Sequence, residues 1–375
     1  MPTFQHNFTP AAAAPVGAVA DLAIREIEDA GIREILQTPG AALGNWQILS
    51  ALLDPSAASF RFLEPLGHAR EVKTAVSGLF GRFVARAYAT KYLGLTHFAH
   101  VRKPPMRLAG IIRGELDRVR GKSGDMPDWV AWGPSNGLAI VEAKGCHDTK
   151  NPAKALERAY KQASRAEIKI GMKLAPFKRY AIATRWGFRS PKLTEPMLWV
   201  HDPDEDGQIT PEEMEGLQVG IARWHIATLL KPLGFTELSD ALIRLSQVTF
   251  RNRRERLEAE ARELLQSLPG YRIDTAKQGP RDMLIGGFIS RGGPLAGIVS
   301  LSDQEVLRRH DLSPAFVGVE HRQIKLAIEG IVEPNLDKAA DVAASRLMGD
   351  DGAGSWVFRM DEDITRFVPV APLHS

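Results

Sequence analysis

Apolar residues in this chain follow two periods, and the switch between them divides it into regions. From about Val16 to Gly94 the spacing is helical. Ala20, Leu22, Ala23, Ile24, Ile27 and Ile32 recur at roughly three-to-four intervals until Pro39-Gly40 breaks the run. Trp46 to Leu53 reads as a short helix before Asp54-Pro55. Glu71 to Leu93 reads as a longer one, with Val72, Val76, Leu79, Phe80, Phe83, Val84 and Ala87 on one face. Beyond residue 100 short apolar runs take over. Met106 to Val119 is expected as the first strand of a sheet. Trp129 to Trp132 and Leu138 to Lys144 are expected as a hairpin around Gly133-Pro134-Ser135-Asn136-Gly137, and Arg179 to Thr184 and Met197 to Val200 as two further strands. Between them, Asn151 as N-cap and Pro152 at the first helical position predict a helix from about Pro152 to about Lys173. Its apolar side is Ala155, Ala159, Ala163, Ala166 and Ile170.

The last third is mixed. Leu238 to Leu268 reads as one helix ending at Pro269-Gly270. Met283 to Ile289, Ala296 to Leu301, Phe316 to Val319 and Trp356-Val357-Phe358 read as short strands, and Ser302-Asp303-Gln304-Glu305 as the start of a capped helix. No internal repeat is visible. The expected division is a helical region over 1–100, a sheet-and-helix core over 101–235 and an α+β region over 236–375. A chain of 375 residues, 44% hydrophobic, is long enough for two or three domains.

Charge narrows the picture only locally. The formal net charge is +3, so a nucleic-acid surface has to come from clustering. Arg102, Lys103, Arg107, Arg113, Arg118, Arg120 and Lys122 form one cluster, and Arg251, Arg253, Arg254 and Arg256 another. A third stripe, Lys150, Lys154, Arg158, Lys161, Arg165 and Lys169, follows the hairpin and is nearly all of one sign. It reads either as a solvated helix face or as a phosphate-binding one, and the second is preferred. The single cysteine, Cys146, excludes a disulfide framework and a cysteine zinc site within one chain, which fits a reducing cytoplasm. The N-terminal residues do not read as a signal peptide, and no apolar run is long enough to span a bilayer. There is no P-loop lysine motif, and the ten histidines lack HxH or HExxH spacing.

The candidate chemistry lies in the hairpin. Side chains alternate along a strand, so Glu142 and Lys144 share a face, and Asp128 sits at the mouth of the same hairpin. Two carboxylates there would hold Mg²⁺, which takes oxygen ligands and keeps several waters. Such an ion lowers the pKa of a bound water and neutralises phosphate charge.

Pro127-Asp128, a turn, then Glu142-Ala143-Lys144 at the end of an apolar strand resembles the PD-(D/E)XK nuclease superfamily. The resemblance covers roughly Arg102 to Gly234 and is specific only over Pro127 to Lys144. It implies an α/β fold with a restriction-endonuclease-like core, a central mixed sheet flanked by helices. It implies a cytoplasmic, Mg²⁺-dependent deoxyribonuclease, with Mn²⁺ as a substitute, of the kind employed in restriction or phage defence. Asp128 and Glu142 would then hold the metal, with the Ala143 carbonyl as a further ligand. Lys144 would orient the attacking water or stabilise the phosphorus as it gains its fifth ligand. Gln162, on the following helix, is the fourth candidate, and a plain boundary glutamine is an equal reading of it. Lys154, Arg158, Lys161 and Arg165 would bind nucleic acid. DNA is the expected partner, RNA stays open, and a homodimer or a larger defence complex is the expected assembly. A subunit that keeps the fold and binds without cutting is the alternative.

Three further acids compete for a role. Asp117 is a rival for the Asp128 position, and Glu115 and Asp117 are candidate auxiliary ligands. Glu71 lies on a helix before the sheet, although its first-turn position is better explained by the helix dipole. Asp202 to Glu213 also matches the spacing of a calcium-binding loop. However, a strand precedes it where an entering helix is needed, and Thr210-Pro211-Glu212-Glu213 explains itself as a capping box.

Overall fold

A computed structural model describes residues 3–10, 19–38, 61–62, 70–134, 137–147, 152–188, 195–202, 207–275, 279–280, 283–290, 293–294, 315–331, 354–359 and 364–370. These divide between two compact units. One is drawn from Met1–Glu34, Trp46–Met106 and Glu115–Thr210, the other from Ile35–Asn45, Arg107–Gly114 and Pro211–Ser375. The residues expected as a separate N-terminal region thus fall largely in the same unit as the Glu-x-Lys strand.

The first unit is built on a seven-stranded mixed sheet with helices packed against it. Its strands are β1 (Thr3–Pro10), β2 (Val19–Asp21), β3 (His97–His100), β4 (Trp129–Gly133), β5 (Gly137–Cys146), β6 (Lys178–Arg185) and β7 (Met197–Asp202), in the spatial order β2-β1-β7-β6-β5-β4-β3. The pairs β1/β7 and β5/β6 run parallel, and the other neighbours antiparallel. The α/β class and the mixed central sheet agree with expectation. The expected hairpin β4/β5 forms, with Trp129 opposite Val141 and Gly133 opposite Gly137. Its second strand is central, so Leu138 to Val141 are buried on both faces. Strand β1, and with it the sheet edge it shares with β2, had no sequence signal. The helical reading that began near Val16 is corrected there, because Ala20 is a buried strand residue.

Two helices lie in the early segment, α1 (Ile24–Gln37), of which the residues up to Glu34 fall in the first unit, and α2 (Arg70–Leu93). The expected helix from Trp46 to Leu53 lies outside the described residues. Helix α2 lies against β5 at very short range. A Cβ on Gly145 would sit 1.8 Å from the Ser77 carbonyl oxygen, and one on Gly81 2.6 Å from the Gly145 nitrogen. Both positions therefore need glycine for helix and strand backbones to meet. That approach brings the arginines of α2 beside the hairpin.

Several other expectations are corrected. Met106 to Val119 is two strands, Met106–Ala109 and Gly114–Arg118, parted by a turn in which Arg113 has φ 54°. Gly114–Arg118 belongs with Ala166–Ile170 and Lys173–Leu174 in a second sheet. The helix expected to reach Lys173 is α3 (Ala153–Ala163), ten residues shorter at its end. It begins one residue after Pro152, and Asn151 is outside the described residues. After the turn at Ser164-Arg165 the chain is extended, with Ala166, Ile168 and Ile170 buried and Glu167 and Lys169 between them partly exposed. Ala166 and Ile170 stand four apart, a spacing that fits both a helix and a strand. Ile168 between them decides for the strand.

The second unit carries α4 (Pro211–Leu230), α5 (Thr236–Gln247), α6 (Arg251–Ser267) and α7 (His321–Glu329). Its antiparallel sheet contains β8 (Gly270–Thr275), β9 (Leu284–Ser290), β10 (Ala315–Glu320), β11 (Ser355–Arg359) and β12 (Ile364–Val370). The single helix expected over Leu238 to Leu268 is two, α5 and α6, broken at Val248 to Phe250 where the backbone turns extended. The runs 296–301 and 302–305 lie outside the described residues. Helix α4 begins at Pro211, where the capping box placed a helix start.

Candidate active site

The hairpin holds its two acids by crossed hydrogen bonds. The Asp128 N–H donates to Glu142 Oε2 at 2.9 Å, and the Ala143 N–H donates to Asp128 Oδ2 at 2.9 Å. Each carboxylate is thus fixed by the backbone of the other's strand segment, and local pairing alone delivers the geometry. Lys144 extends from the same strand face and donates its Nζ to Glu142 Oε1 and, at 3.0 Å, to Gln162 Oε1. Gln162 is oriented in turn, donating its Nε2 to the Met126 carbonyl at 2.7 Å. Asp128, Glu142, Lys144 and Gln162 therefore form one connected cluster. Exposure rises outward through it, from 0% for the Glu142 side chain to 18% for Asp128 and 35% for Lys144.

Electrostatically the two carboxylates are in conflict. Burial and the neighbouring Asp128 charge push Glu142 up to about 8, although Lys144 and the Asp128 N–H pull the other way. Such a pair suits a divalent cation, which relieves the repulsion that raises Glu142. Each carboxylate oxygen has a partner but keeps a second lone pair. Among the described residues no group of three or more His, Cys, Asp or Glu side chains gathers, so the donor set there is Asp128 and Glu142. What the structure gives Ala143 is a donor role, through its N–H.

Further charges lie behind Asp128. Arg82, on α2, places Nε 3.6 Å from Asp128 Oδ1 and Nη2 2.7 Å from Glu34 Oε1. Glu34, on α1, is fully enclosed. Its Oε2 meets Arg86 at 3.4 Å and His100 Nε2 at 3.2 Å, and accepts from the Trp129 indole at 3.1 Å. Burial alone would raise Glu34, but His100, Arg82 and Arg86 outweigh it and hold it at about 2. None of Glu34, Arg82, Arg86 and His100 was singled out from the sequence. Two signals were readable. One is a glutamate on the apolar stripe of α1, where Ile27, Ala30 and Glu34 follow helical spacing. The other is a pair of arginines four apart inside the apolar run Leu79 to Ala89.

The other candidates fall away from the cluster. Glu71 is exposed in the first turn of α2. Glu115 and Asp117 lie on the second sheet rather than beside Glu142, and the Asp117 carboxylate accepts from the Arg118 N–H. The basic stripe is shorter than expected. Lys154, Arg158 and Lys161 are exposed on α3, with Lys161 paired to Glu157 at 2.6 Å. Arg165 lies past the helix end and folds onto the Asp125 carbonyl at 3.0 Å, Lys169 sits on a strand paired with Glu167, and Lys150 is outside the described residues. Arginines 251 and 254 on α6 pair with Glu255 and Glu258 one turn on. The inner positions of the calcium-loop pattern, 203–206, lie outside the described residues, and Asp202 pairs with Lys178 at 3.1 Å. Among the described residues no helix is long and apolar enough to cross a membrane.

No protein-family model, curated protein or solved structure matches the chain. Any functional reading therefore rests on the geometry of this cluster.

Proposed function

We propose that the protein is a metal-dependent nuclease that hydrolyses phosphodiester bonds of DNA, with Mg²⁺ as its ion and Mn²⁺ as a substitute. The observation that carries the reading is the cluster itself: two mutually repelling carboxylates on a hairpin, with a half-exposed lysine on the same face held by an oriented glutamine. Asp128 and Glu142 would hold the ion, and when bound it supplies an activated water and charge neutralisation at the phosphate. Lys144, steered by Gln162, would face the scissile phosphate and offset the negative charge that builds there. Gln162 keeps the Nζ directed while its own amide stays anchored on Met126. Lys154, Arg158 and Lys161 would neutralise backbone phosphates along the exposed face of α3. A restriction or defence role, a cytoplasmic location and a restriction-endonuclease-like core are part of this reading.

The test is cleavage of supercoiled plasmid by purified protein with Mg²⁺ or Mn²⁺. The expected outcome is nicking that falls by at least about a hundredfold in Lys144→Ala and Glu142→Ala. Tight DNA binding without nicking in either ion would instead assign the fold to a binding subunit.

A further inference from the structure

Arg82 stands out among the groups near the acidic pair, because it brings a charge from another element to Asp128. Its guanidinium is caged. Nη2 reaches Glu34 Oε1 at 2.7 Å and the His100 Nδ1 at 2.8 Å, Cζ lies 5.3 Å from the Trp129 ring centroid, and Nε is left facing Asp128 Oδ1 at 3.6 Å. His100 closes the cage, its Nδ1 on Arg82 and its Nε2 3.2 Å from Glu34 Oε2. Glu34 sets its single negative charge between two guanidiniums, Arg82 and Arg86, so it neutralises Arg82 only in part. The cage aims the remaining charge at the hairpin acids. Burial disfavours the charge on Arg82, but Glu34, Asp128 and Glu142 outweigh it and hold the guanidinium firmly protonated.

We propose that Arg82, anchored by Glu34, His100 and Trp129, is a positioning residue that presents a fixed positive charge to Asp128 and so sets how tightly the Asp128–Glu142 pair holds a divalent cation. Glu34 acts through Arg82 and is not a third ligand, since among the described residues no group of three or more such donors gathers. The inference rests on the metal reading of the pair, and it makes predictions of opposite sign at two neighbouring residues. Removing Arg82 removes a competitor for the cation. Removing the charge of Glu34 leaves Arg82 less neutralised and strengthens that competition.

Calorimetric titration of the full chain with Mn²⁺, without DNA, reads this directly. Arg82→Gln is expected to bind Mn²⁺ about tenfold more tightly than the wild type. Glu34→Gln is expected to bind it several-fold more weakly, and the double variant to behave as Arg82→Gln alone. Affinities that move in the same direction, or a double variant that is additive, overturn the proposal and leave the cage as mere packing. Where Arg82→Gln does not fold, Arg82→Lys keeps the charge but cannot span Glu34 and Asp128 together, and it is expected to tighten binding by a smaller factor; unchanged or weaker binding there overturns the proposal. A wild type that binds no divalent cation sinks the metal reading instead. Arg82 is then judged by urea unfolding of Arg82→Lys, Asp128→Asn and their double variant, each made in the wild-type chain and again in combination with Glu34→Gln. Coupling between Arg82 and Asp128 that disappears on Glu34→Gln supports the positioning role, and absence of coupling overturns it.

Discussion

The two units bury charge in opposite ways. In the second unit Arg223, on α4, is enclosed and spends its guanidinium on backbone carbonyls: Nε on Ala327 at 2.7 Å, Nη2 on Ile328 at 3.1 Å and Nη1 on Leu245 at 3.2 Å. Those oxygens lie in the last turns of α7 and α5, where helix carbonyls lack intrahelical partners and the dipole favours a cation. Burial pushes Arg223 down to about 10, with Arg254 adding to the shift and Glu258 opposing it, yet its donors are met within the fold. In the first unit the buried carboxylate of Glu142 lies against a second of the same sign, the partly exposed Asp128, and is raised to about 8. A buried charge matched by local dipoles is a structural joint, whereas a buried pair in conflict is a place where a ligand changes the energy.

The sharpest way to break this contrast is Arg223→Ala. Three buried carbonyls lose their donor, and a loss of about 3–5 kcal/mol in urea unfolding is expected, with no recovery on adding Mg²⁺. A loss under about 1 kcal/mol would mean that water replaces the guanidinium and that the joint is dispensable.

A second test uses pH. Glu142 binds its proton more tightly folded than unfolded, so the stability that protonation gives is complete below the ordinary carboxyl range. It is lost as pH rises from about 4.5 to about 8. Thermal melts of the metal-free protein are expected to show Glu142→Gln equal to wild type near pH 4 and several degrees more stable above pH 8. Mg²⁺ should raise the wild type at the higher pH and leave the variant unmoved. Parallel melting curves at both pH values would remove the conflict from Glu142.

The smallest effect is expected outside both interiors. Lys161 pairs with Glu157 on the exposed face of α3 at 2.6 Å. Lys161→Ala should change stability by less than about 0.5 kcal/mol. If α3 faces DNA, the same variant lowers the salt dependence of binding by about one unit of log–log slope, read by fluorescence anisotropy. An unchanged slope would return the stripe to a solvated helix face.

The legible part of the site was the part that is local. Asp128, Glu142 and Lys144 are joined by one hairpin whose strands and turn are both written in residue type, and Gln162 lies on the next helix. Arg82, Glu34 and His100 were missed because they gather behind Asp128 from segments 28 to 94 residues away, and nothing in the spacing of either helix says which neighbour a buried charge will find. The strand over Ala166–Ile170 was missed for a different reason, since its outer apolar positions also suit a helix that continues from Ala163.

The sequence by itself determined the hairpin, the face shared by Glu142 and Lys144 and the start of the helices near Arg70 and at Pro211. Short-range alternation, turn residues and caps act between neighbours and need no distant partner. Only the tertiary structure decided which strands flank that hairpin, the place of Thr3–Pro10 at the sheet's far side, and the cage around Arg82. Those depend on glycines 81 and 145 letting helix and strand backbones touch, and on charges that are stable in the interior only beside one another.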